Sequence, residues 1–174
     1  MTKTSRLARA AAAAAVLSCA GSAFAEGQFV PEVGLGYGSG GHFRANSGGT
    51  RDGLTFNTAF GYRFDNNLGV RAMFIGNWDP FDPISPDSGV FEQFVGVQAT
   101  AYIPLAEKVK FMGGVGLGQS RLKVATDGRE SRTDGIVSGG LQWTFVRHYA
   151  MELRVDYLTQ THERNVVLMA QIPF

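Results

Sequence analysis

The stretch "LTFNTAFGYRF" at residues 54–64 decides the fold, because its large apolar residues fall on every second position. Leu54, Phe56 and Phe60 share one side of an extended chain, while the other side carries small and polar residues and ends at Arg63. Successive side chains of a β-strand point to opposite faces, so this period of two predicts a strand with one apolar face.

Seven further segments repeat this alternation, and no stretch of useful length has the period of a helix. They lie at residues 32–37, 68–78, 95–103, 109–118, 137–145, 149–157 and 165–174. Most are about ten residues long, which is the length that a tilted strand needs to cross a bilayer. No apolar run after the N-terminal region approaches the ~18 residues of a membrane helix.

The connections between the segments alternate in length. Short turns follow segments two, four and six, at residues 65–67, 105–108 and 146–148. Long connections follow segments one, three and five, at residues 38–52, 79–89 and 120–134, and a brief one spans 160–164. This layout predicts an all-β fold, an eight-stranded antiparallel transmembrane up-and-down β-barrel. The third long connection is expected to extend a hairpin, with Asp127-Gly128 at its tip.

The N-terminal region is predicted to be a cleaved secretory signal peptide, residues 1–25, before a barrel domain at residues 26–174. Lys3, Arg6 and Arg9 precede an alanine-rich apolar stretch, and Ala23-Phe24-Ala25 forms a small-x-small cleavage site. A lipoprotein signal ending before Cys19 is the alternative. Cys19 is the one cysteine of the sequence, so cleavage at residue 25 leaves a chain that has no disulfide.

Charge gives no reason to expect nucleic acid as a partner. The whole sequence carries 16 Lys and Arg and 15 Asp and Glu, and the predicted signal peptide removes three cations. The remaining chain therefore has a net charge of about −2, without the basic excess that nucleic-acid binding requires.

The charged residues well inside the segments all lie opposite the apolar face, which favours a membrane barrel with a polar lumen. They are four anions and four cations, a balance that permits pairing across the lumen: Glu32, Arg63, Arg71, Glu92, Lys110, Glu152, Arg154 and Asp156. A soluble, lipocalin-like barrel has the same alternation with its apolar face inward, and it stays open as an alternative.

The aromatic residues on the apolar face collect at the segment ends, as in the aromatic girdles of membrane barrels. The predicted girdle residues are Tyr37, Tyr62, Phe64, Trp78, Trp143, Phe145, Tyr149 and Tyr157, with Phe91 and Phe174 at the same levels.

The signal peptide, the eight segments and the final Ile172-Pro173-Phe174 together resemble the small OmpA/OmpX-type outer-membrane barrels of Gram-negative bacteria. The resemblance implies export through the periplasm to the outer membrane. It also implies that the barrel-assembly machinery recognises the C-terminal strand, with Phe174 as its signal. Nothing follows the barrel in this sequence, so peptidoglycan anchoring by a periplasmic OmpA-type domain is not expected.

The interior and the loops give the functional expectations. An eight-stranded barrel is just wide enough for its own side chains to fill, so the charges are expected to plug the lumen, with a narrow ion channel as the alternative. Asp79, Asp82 and Asp87 lie in Asp-Pro and Pro-Asp pairs, which are ordinary in turns, and no metal or cofactor is expected. The role predicted is structural or surface-interacting, for a monomer whose loops contact a surface ligand.

Lipid and lipopolysaccharide of the outer membrane are the expected partners. The basic residues of the third connection are candidates for contacts with lipopolysaccharide phosphates, and a solvated charged surface is the alternative: Arg121, Lys123, Arg129 and Arg132.

A lipid-A-modifying enzyme is the remaining alternative, but the sequence lacks the required groups. The deacylase type needs a Ser two positions after a His on a late strand, whereas Arg164 follows His162 at that spacing. His42 and His148 lie in other connections, and a lumen with eight charges does not suit an acyl chain. The protein is therefore predicted not to be an enzyme.

Overall fold

The computed structural model describes residues 27–40, 53–64, 67–78, 90–124, 128–146 and 149–174. The predicted signal peptide with Cys19, most of the first long connection with His42, and the three aspartates of the second lie outside the described residues. So do Asp127, His148 and the side chains of Trp78 and Lys123. Within the described ranges, no helix is long and apolar enough to cross a membrane.

The described residues form eight β-strands that pair in chain order and close into one barrel. The strands are β1 Gln28–Ser39, β2 Gly53–Arg63, β3 Leu68–Trp78, β4 Val90–Ala106, β5 Val109–Val124, β6 Gly128–Val146, β7 Tyr149–Leu158 and β8 Arg164–Gln171. Every neighbouring pair is antiparallel, including β1 with β8. The predicted eight-stranded, all-β architecture is confirmed.

The last residues of the chain close the barrel against β1. The β1–β8 register runs from Glu32 opposite Gln171 to Ser39 opposite Arg164. The pairing continues past the end of β8, because Phe29 and Phe174 exchange two backbone hydrogen bonds of 2.9 and 3.0 Å. The alternating tail is therefore the closing strand, and its terminal aromatic residue lies at the seam.

The outer surface between the two barrel ends is apolar. Leu35 is 64% exposed and Leu117 is 68% exposed, and the outward positions of all eight strands carry similar residues. A belt of exposed apolar side chains is the surface that lipid requires, and it is far larger than the patches that soluble monomers expose. The lipocalin-like alternative, which has its apolar face inward, is wrong for these strands.

The lumen holds two layers of different chemistry. The inward positions nearer the short turns, among them Arg71 and Glu152, form a buried polar layer. Toward the long connections, seven buried residues form an apolar cluster, which we call the apolar layer: Ala59, Met73, Ile75, Phe91, Phe94, Ile136 and Leu158. Buried polar side chains of β2 and β8 lie at the same levels and bond to one another: Thr55, Asn57 and Asn165. The apolar layer was not predicted.

Strands β4 to β6 are the longest of the barrel, with 17, 16 and 19 residues. Strands β5 and β6 stay paired as far as Val124 and Gly128, which gives the extended hairpin expected for the third long connection. Above the apolar belt the outward residues of this hairpin are polar, beginning with the exposed Gln119 and Thr133. The end with the long connections therefore projects beyond the lipid-facing belt.

Candidate functional site

Five charged side chains meet in the polar layer of the lumen. The guanidinium of Arg71 contacts Glu32 at 3.1 Å and Glu152 at 3.2 Å. Arg154 contacts Glu152 at 3.2 Å, Glu32 at 3.6 Å and Asp156 at 2.8 Å. All five residues are at most 5% exposed. The structure thus joins five of the eight predicted lumen charges in one buried network.

Strand alternation explains this convergence. Glu152, Arg154 and Asp156 occupy three successive inward positions of β7, so their side chains stack along the lumen. Arg71 points inward from β3, on the wall opposite β7, and Glu32 points inward from β1, two strands from β7. Because an eight-stranded barrel is narrow, long side chains from opposite walls reach each other directly.

Uncharged polar side chains complete the network. Gln98 accepts a 2.8 Å hydrogen bond from Nε of Arg71 and donates one of 2.8 Å to Ser138, which in turn donates to Asp156. Gln171 donates to Glu152 at 2.9 Å and accepts a hydrogen bond from Gln142. Sequence reasoning missed these partners because it selected charges only. Their alternation with apolar outward residues in the sequence would have indicated that these polar side chains point into the lumen.

Glu92 does not belong to this network, and its predicted position is wrong. A β-bulge between Phe91 and Gln93 adds one residue to β4 and reverses the alternation beyond it. The bulge turns Phe91 into the apolar layer, although the sequence placed it in the outer aromatic girdle. Glu92 instead pairs with Arg129 of β6 at 3.4 Å, near the solvent.

Arg63 and Lys110 also lie apart from the network, at the short-turn end of the lumen. The guanidinium of Arg63 lies 4.0 Å from the centre of the Tyr102 ring, in cation–π geometry. Lys110 donates a 3.1 Å hydrogen bond to Asn67 in the turn before β3. The predicted balance of four anions and four cations is therefore not the composition of the network, which has three carboxylates and two guanidinium groups.

A buried carboxylate fixes the connection between β7 and β8. Asp134, on β6, accepts hydrogen bonds from the backbone amides of Gln160 and Thr161 at 2.7 and 3.2 Å. It also accepts bonds from the hydroxyls of Ser120 and Thr161 at 2.8 and 2.9 Å. This turn at the long-connection end is consequently held from inside the barrel.

The predicted girdle residues occupy the outer surface to different degrees. Tyr37, Phe145 and Tyr149 are exposed, and the other three with described side chains on the outer surface are half-buried: Phe64, Trp143 and Tyr157. Tyr62 departs from the expectation of an exposed ring, because it is 8% exposed and packs edge-on against Phe29 and Phe64.

No metal-binding arrangement is present in the part of the chain that the structure describes. Its side chains include no group of three or more His, Cys, Asp and Glu residues placed to hold a metal ion. His162 shares a 2.8 Å hydrogen bond with Tyr157 Oη, and Arg164 occupies the position where a deacylase of the serine type needs its nucleophile.

An apolar belt around a lumen filled with paired charges defines an integral outer-membrane β-barrel. The chain belongs to the outer membrane protein beta-barrel domain family, whose model matches residues 11–166. Its location is the outer membrane of a Gram-negative bacterium. No curated protein sequence matches the chain significantly.

Solved structures of three outer-membrane proteins resemble this fold. Neisserial surface protein A is 14% identical, with a TM-score of 0.64 over 84% of this chain and 97% of that one. The N-terminal barrel of Pseudomonas aeruginosa OprF is 13% identical, with a TM-score of 0.61 over 86% and 100%. Yersinia pestis Ail, solved in complex with the heparin analogue sucrose octasulfate, is 20% identical, with a TM-score of 0.55 over 86% and 99%. At these identities the likeness establishes the fold.

Proposed function

We propose that this protein is a sealed, non-enzymatic outer-membrane barrel whose role is structural and surface-interacting. The observation that carries the proposal is the filling of the lumen by two successive buried layers. Water and ions that enter from the short-turn end meet the paired charges. From the other end they meet the apolar layer and the hydrogen-bonded polar side chains beside it.

The charged layer resists opening because its members depend on each other. Removing one partner of a buried ion pair leaves a charge uncompensated, at a cost of about 3–5 kcal/mol. Arg71 and Arg154 each contact two or more carboxylates, so separating the walls of the lumen breaks several such contacts at once.

The apolar layer opposes conduction by a different mechanism. Hydrophobic constrictions exclude water, and an ion that crosses one loses its hydration shell without gaining polar partners. Phe94 and Ile75 are fully buried in this layer. A narrow channel therefore requires both layers to rearrange, and this favours the plug.

The layout of the connections supports one orientation of the barrel in the membrane. We place the short turns in the periplasm and the long connections at the cell surface, as in other small barrels. Cleavage of residues 1–25 and recognition of Phe174 by the assembly machinery belong to the same proposal. The exposed ring of Phe174 and its backbone pairing with Phe29 support a role at the closing seam. A closed barrel without open strand edges is consistent with a monomer.

The β5–β6 hairpin supports a surface role, since it projects past the apolar belt and carries arginines. Carboxylates already neutralise two of them, because Arg129 pairs with Glu92 and Arg132 with Glu130 at 2.6 Å. The sulfated ligand seen with Ail belongs to that protein. For this chain we infer only that anionic groups at the cell surface are the chemical class suited to Arg121, the third arginine of this hairpin.

Thiol accessibility and conductance test the sealed lumen. We expect purified full-length protein to give no discrete conductance steps in planar bilayers. We also expect Ile136→Cys, in the apolar layer, to resist a charged thiol reagent, while Thr133→Cys on the outer surface reacts rapidly. Steady conductance together with fast labelling of Ile136→Cys overturns the plug. Labelling of Thr133→Cys on intact cells tests the orientation.

A lipid A mass spectrum tests the absence of enzymatic activity. We expect the same acyl and phosphate composition from outer membranes with and without the expressed protein. A lost or gained acyl chain contradicts the proposal and directs attention to the surroundings of His162.

A further inference from the structure

Three polar side chains gather on the outer surface of the barrel where β7 turns into β8. Tyr157 and His162 share a hydrogen bond of 2.8 Å between Oη and Nδ1. Arg164 lies directly opposite Tyr157 in the β7–β8 register, and both point outward. We call these three residues the rim cluster.

The rim cluster lies at the edge of the lipid-facing belt. The next outward residues toward the short turns, Val155 and Val166, are 50% and 49% exposed and apolar. The exposed Tyr37 of β1 lies opposite Val166. The cluster is therefore one outward position beyond the hydrocarbon-facing surface, at the level where lipid head groups meet the protein.

Among the residues that the structure describes, no Asp or Glu lies next to Arg164 on the outer wall. The outward positions of β1, β7 and β8 carry no Asp or Glu in the described residues, because the acids of these strands point into the lumen. This distinguishes Arg164 from Arg129 and Arg132, whose guanidinium groups already contact carboxylates. A guanidinium at a lipid boundary without a nearby carboxylate suits an external anion.

The backbone that carries the cluster is held in place. Asp134 binds the amides of Gln160 and Thr161 from inside the barrel, and Leu158 N donates to Glu163 O at 2.9 Å. His162 adopts a left-handed conformation with φ of +55°, which few non-glycine residues adopt without support from their surroundings. The fixed turn positions the imidazole beside Tyr157 before any ligand arrives, so little ordering is needed on binding.

We propose that the rim cluster binds a phosphate group of lipid A in the outer leaflet. Arg164 supplies the positive charge and paired N–H donors, while Tyr157 and His162 supply further hydrogen-bonding groups beside it. The acyl chains of the same lipid lie along the apolar side chains of β7, β8 and β1. The inference rests on the proposed orientation, which places this end of the barrel in the outer leaflet.

Native mass spectrometry of the full-length protein in detergent tests the site with bisphosphorylated lipid A as the probe. We expect wild-type protein to retain this lipid, and Arg164→Gln to weaken its retention about tenfold, as loss of a charge-assisted contact predicts. His162→Asn, which tolerates the left-handed backbone, should weaken retention several-fold. The matched control is Arg132→Gln, which removes an exposed arginine that a carboxylate already neutralises.

Two comparisons keep the test independent of the variants' folding. Dephosphorylated lipid A should bind the wild-type protein weakly, and phosphatidylglycerol should not displace the bisphosphorylated form. Equal retention of phosphorylated and dephosphorylated lipid A overturns the site, as does an Arg164→Gln protein that is folded and binds like wild type. A loss with Arg132→Gln as large as that with Arg164→Gln shows unspecific charge attraction and also rejects the site.

The failures of the two proposals are distinguishable. If Thr133→Cys is labelled on intact cells and the lumen stays sealed while lipid A binding is absent, only the rim cluster is rejected. If Thr133→Cys is protected on intact cells, the orientation fails, and the rim cluster fails with it.

Discussion

Replacing Arg71 by methionine should strongly destabilise the barrel, because it removes the central cation of the lumen network. The guanidinium contacts Glu32 at 3.1 Å and Glu152 at 3.2 Å, and its Nε donates to Gln98 at 2.8 Å. Methionine retains much of the side-chain volume but none of these donors. Arg154 is then the one guanidinium left in the network, and it contacts all three carboxylates, those of Glu32, Glu152 and Asp156.

The magnitude follows from the charges of the network. Three carboxylates and two guanidinium groups give a formal charge of −1, which Arg71→Met changes to −2. Removing one partner of a buried pair costs about 3–5 kcal/mol of the free energy of unfolding. The double variant Arg71→Met/Glu32→Gln returns the formal charge to −1. We therefore expect its loss to be smaller than the sum of the two single losses by about 2 kcal/mol.

Urea titration of the protein in phospholipid vesicles, followed by tryptophan fluorescence, gives the free energies of unfolding of the wild type, the two single variants and the double variant. The control is Arg132→Met, which breaks the exposed 2.6 Å pair with Glu130 and should cost at most about 1 kcal/mol. Losses that add within about 0.5 kcal/mol refute the argument, since they mean that Arg71 and Glu32 act independently. So does an Arg71→Met protein as stable as the control.

Three further substitutions probe the carboxylate at the β7–β8 turn, the seam and the belt. Asp134→Ala leaves buried amide and hydroxyl donors without their acceptor, so we expect a loss of about 2–4 kcal/mol and faster hydrogen exchange of the turn amides, measured by mass spectrometry. At Gly34 an added Cβ would lie 2.3 Å from the carbonyl oxygen of Leu168, which is too close for any side chain. Gly34→Val should therefore reduce the folded fraction, measured by heat modifiability on a gel. Val97→Arg puts a charge in the lipid-facing belt and should cost about 2–4 kcal/mol in urea titrations, whereas Gln119→Arg, beyond the belt, should cost less than about 1 kcal/mol.

The strands were predictable because the lipid-facing residues of a membrane barrel form a regular apolar pattern in the sequence. Lipid favours apolar side chains at the outward positions, so residues such as Val95, Val97 and Leu117 recur at every second position of their strands. The tail was predictable for the same reason. Its five apolar residues at 166, 168, 170, 172 and 174 are all exposed on the outer surface.

The long-connection end was less predictable, because the rule that apolar residues face outward fails there. Ile75 and Phe94 are apolar and point inward, where sequence reasoning assumed polar filling. Glu92 was misplaced because one inserted residue in β4 reverses every face beyond the bulge. The segment "VFEQF" at residues 90–94 has apolar residues on both faces, so its pattern contains no signal for the position of that insertion.

The sequence predicted most of the charged residues of the lumen network, but not which of them contact each other. Alternation placed Arg71 and Glu152 inside, yet which charges meet depends on the depth of each residue in the lumen, and depth follows from register and strand tilt. Arg63 and Glu32 both lie on inward positions, but Arg63 is nearer the short turns and contacts Tyr102 instead of the network. The alternation within one strand gives the face of each residue but not its depth in the lumen.

Strand β5 shows how one wall combines an apolar outer face with polar filling inside. Within the belt its outer face is apolar to Leu117, and its inner face carries glycines that leave room for long polar side chains such as Gln98. Lipid surrounds this part of the wall, so the lumen must satisfy its polar groups internally. Beyond the belt Gln119 faces outward, while the inward Ser120 donates to Asp134 and Leu122 is buried. Buried polar groups need hydrogen-bond partners at this level as well, because they are also removed from water. The lumen is therefore sealed along its length by paired polar groups together with packed apolar side chains.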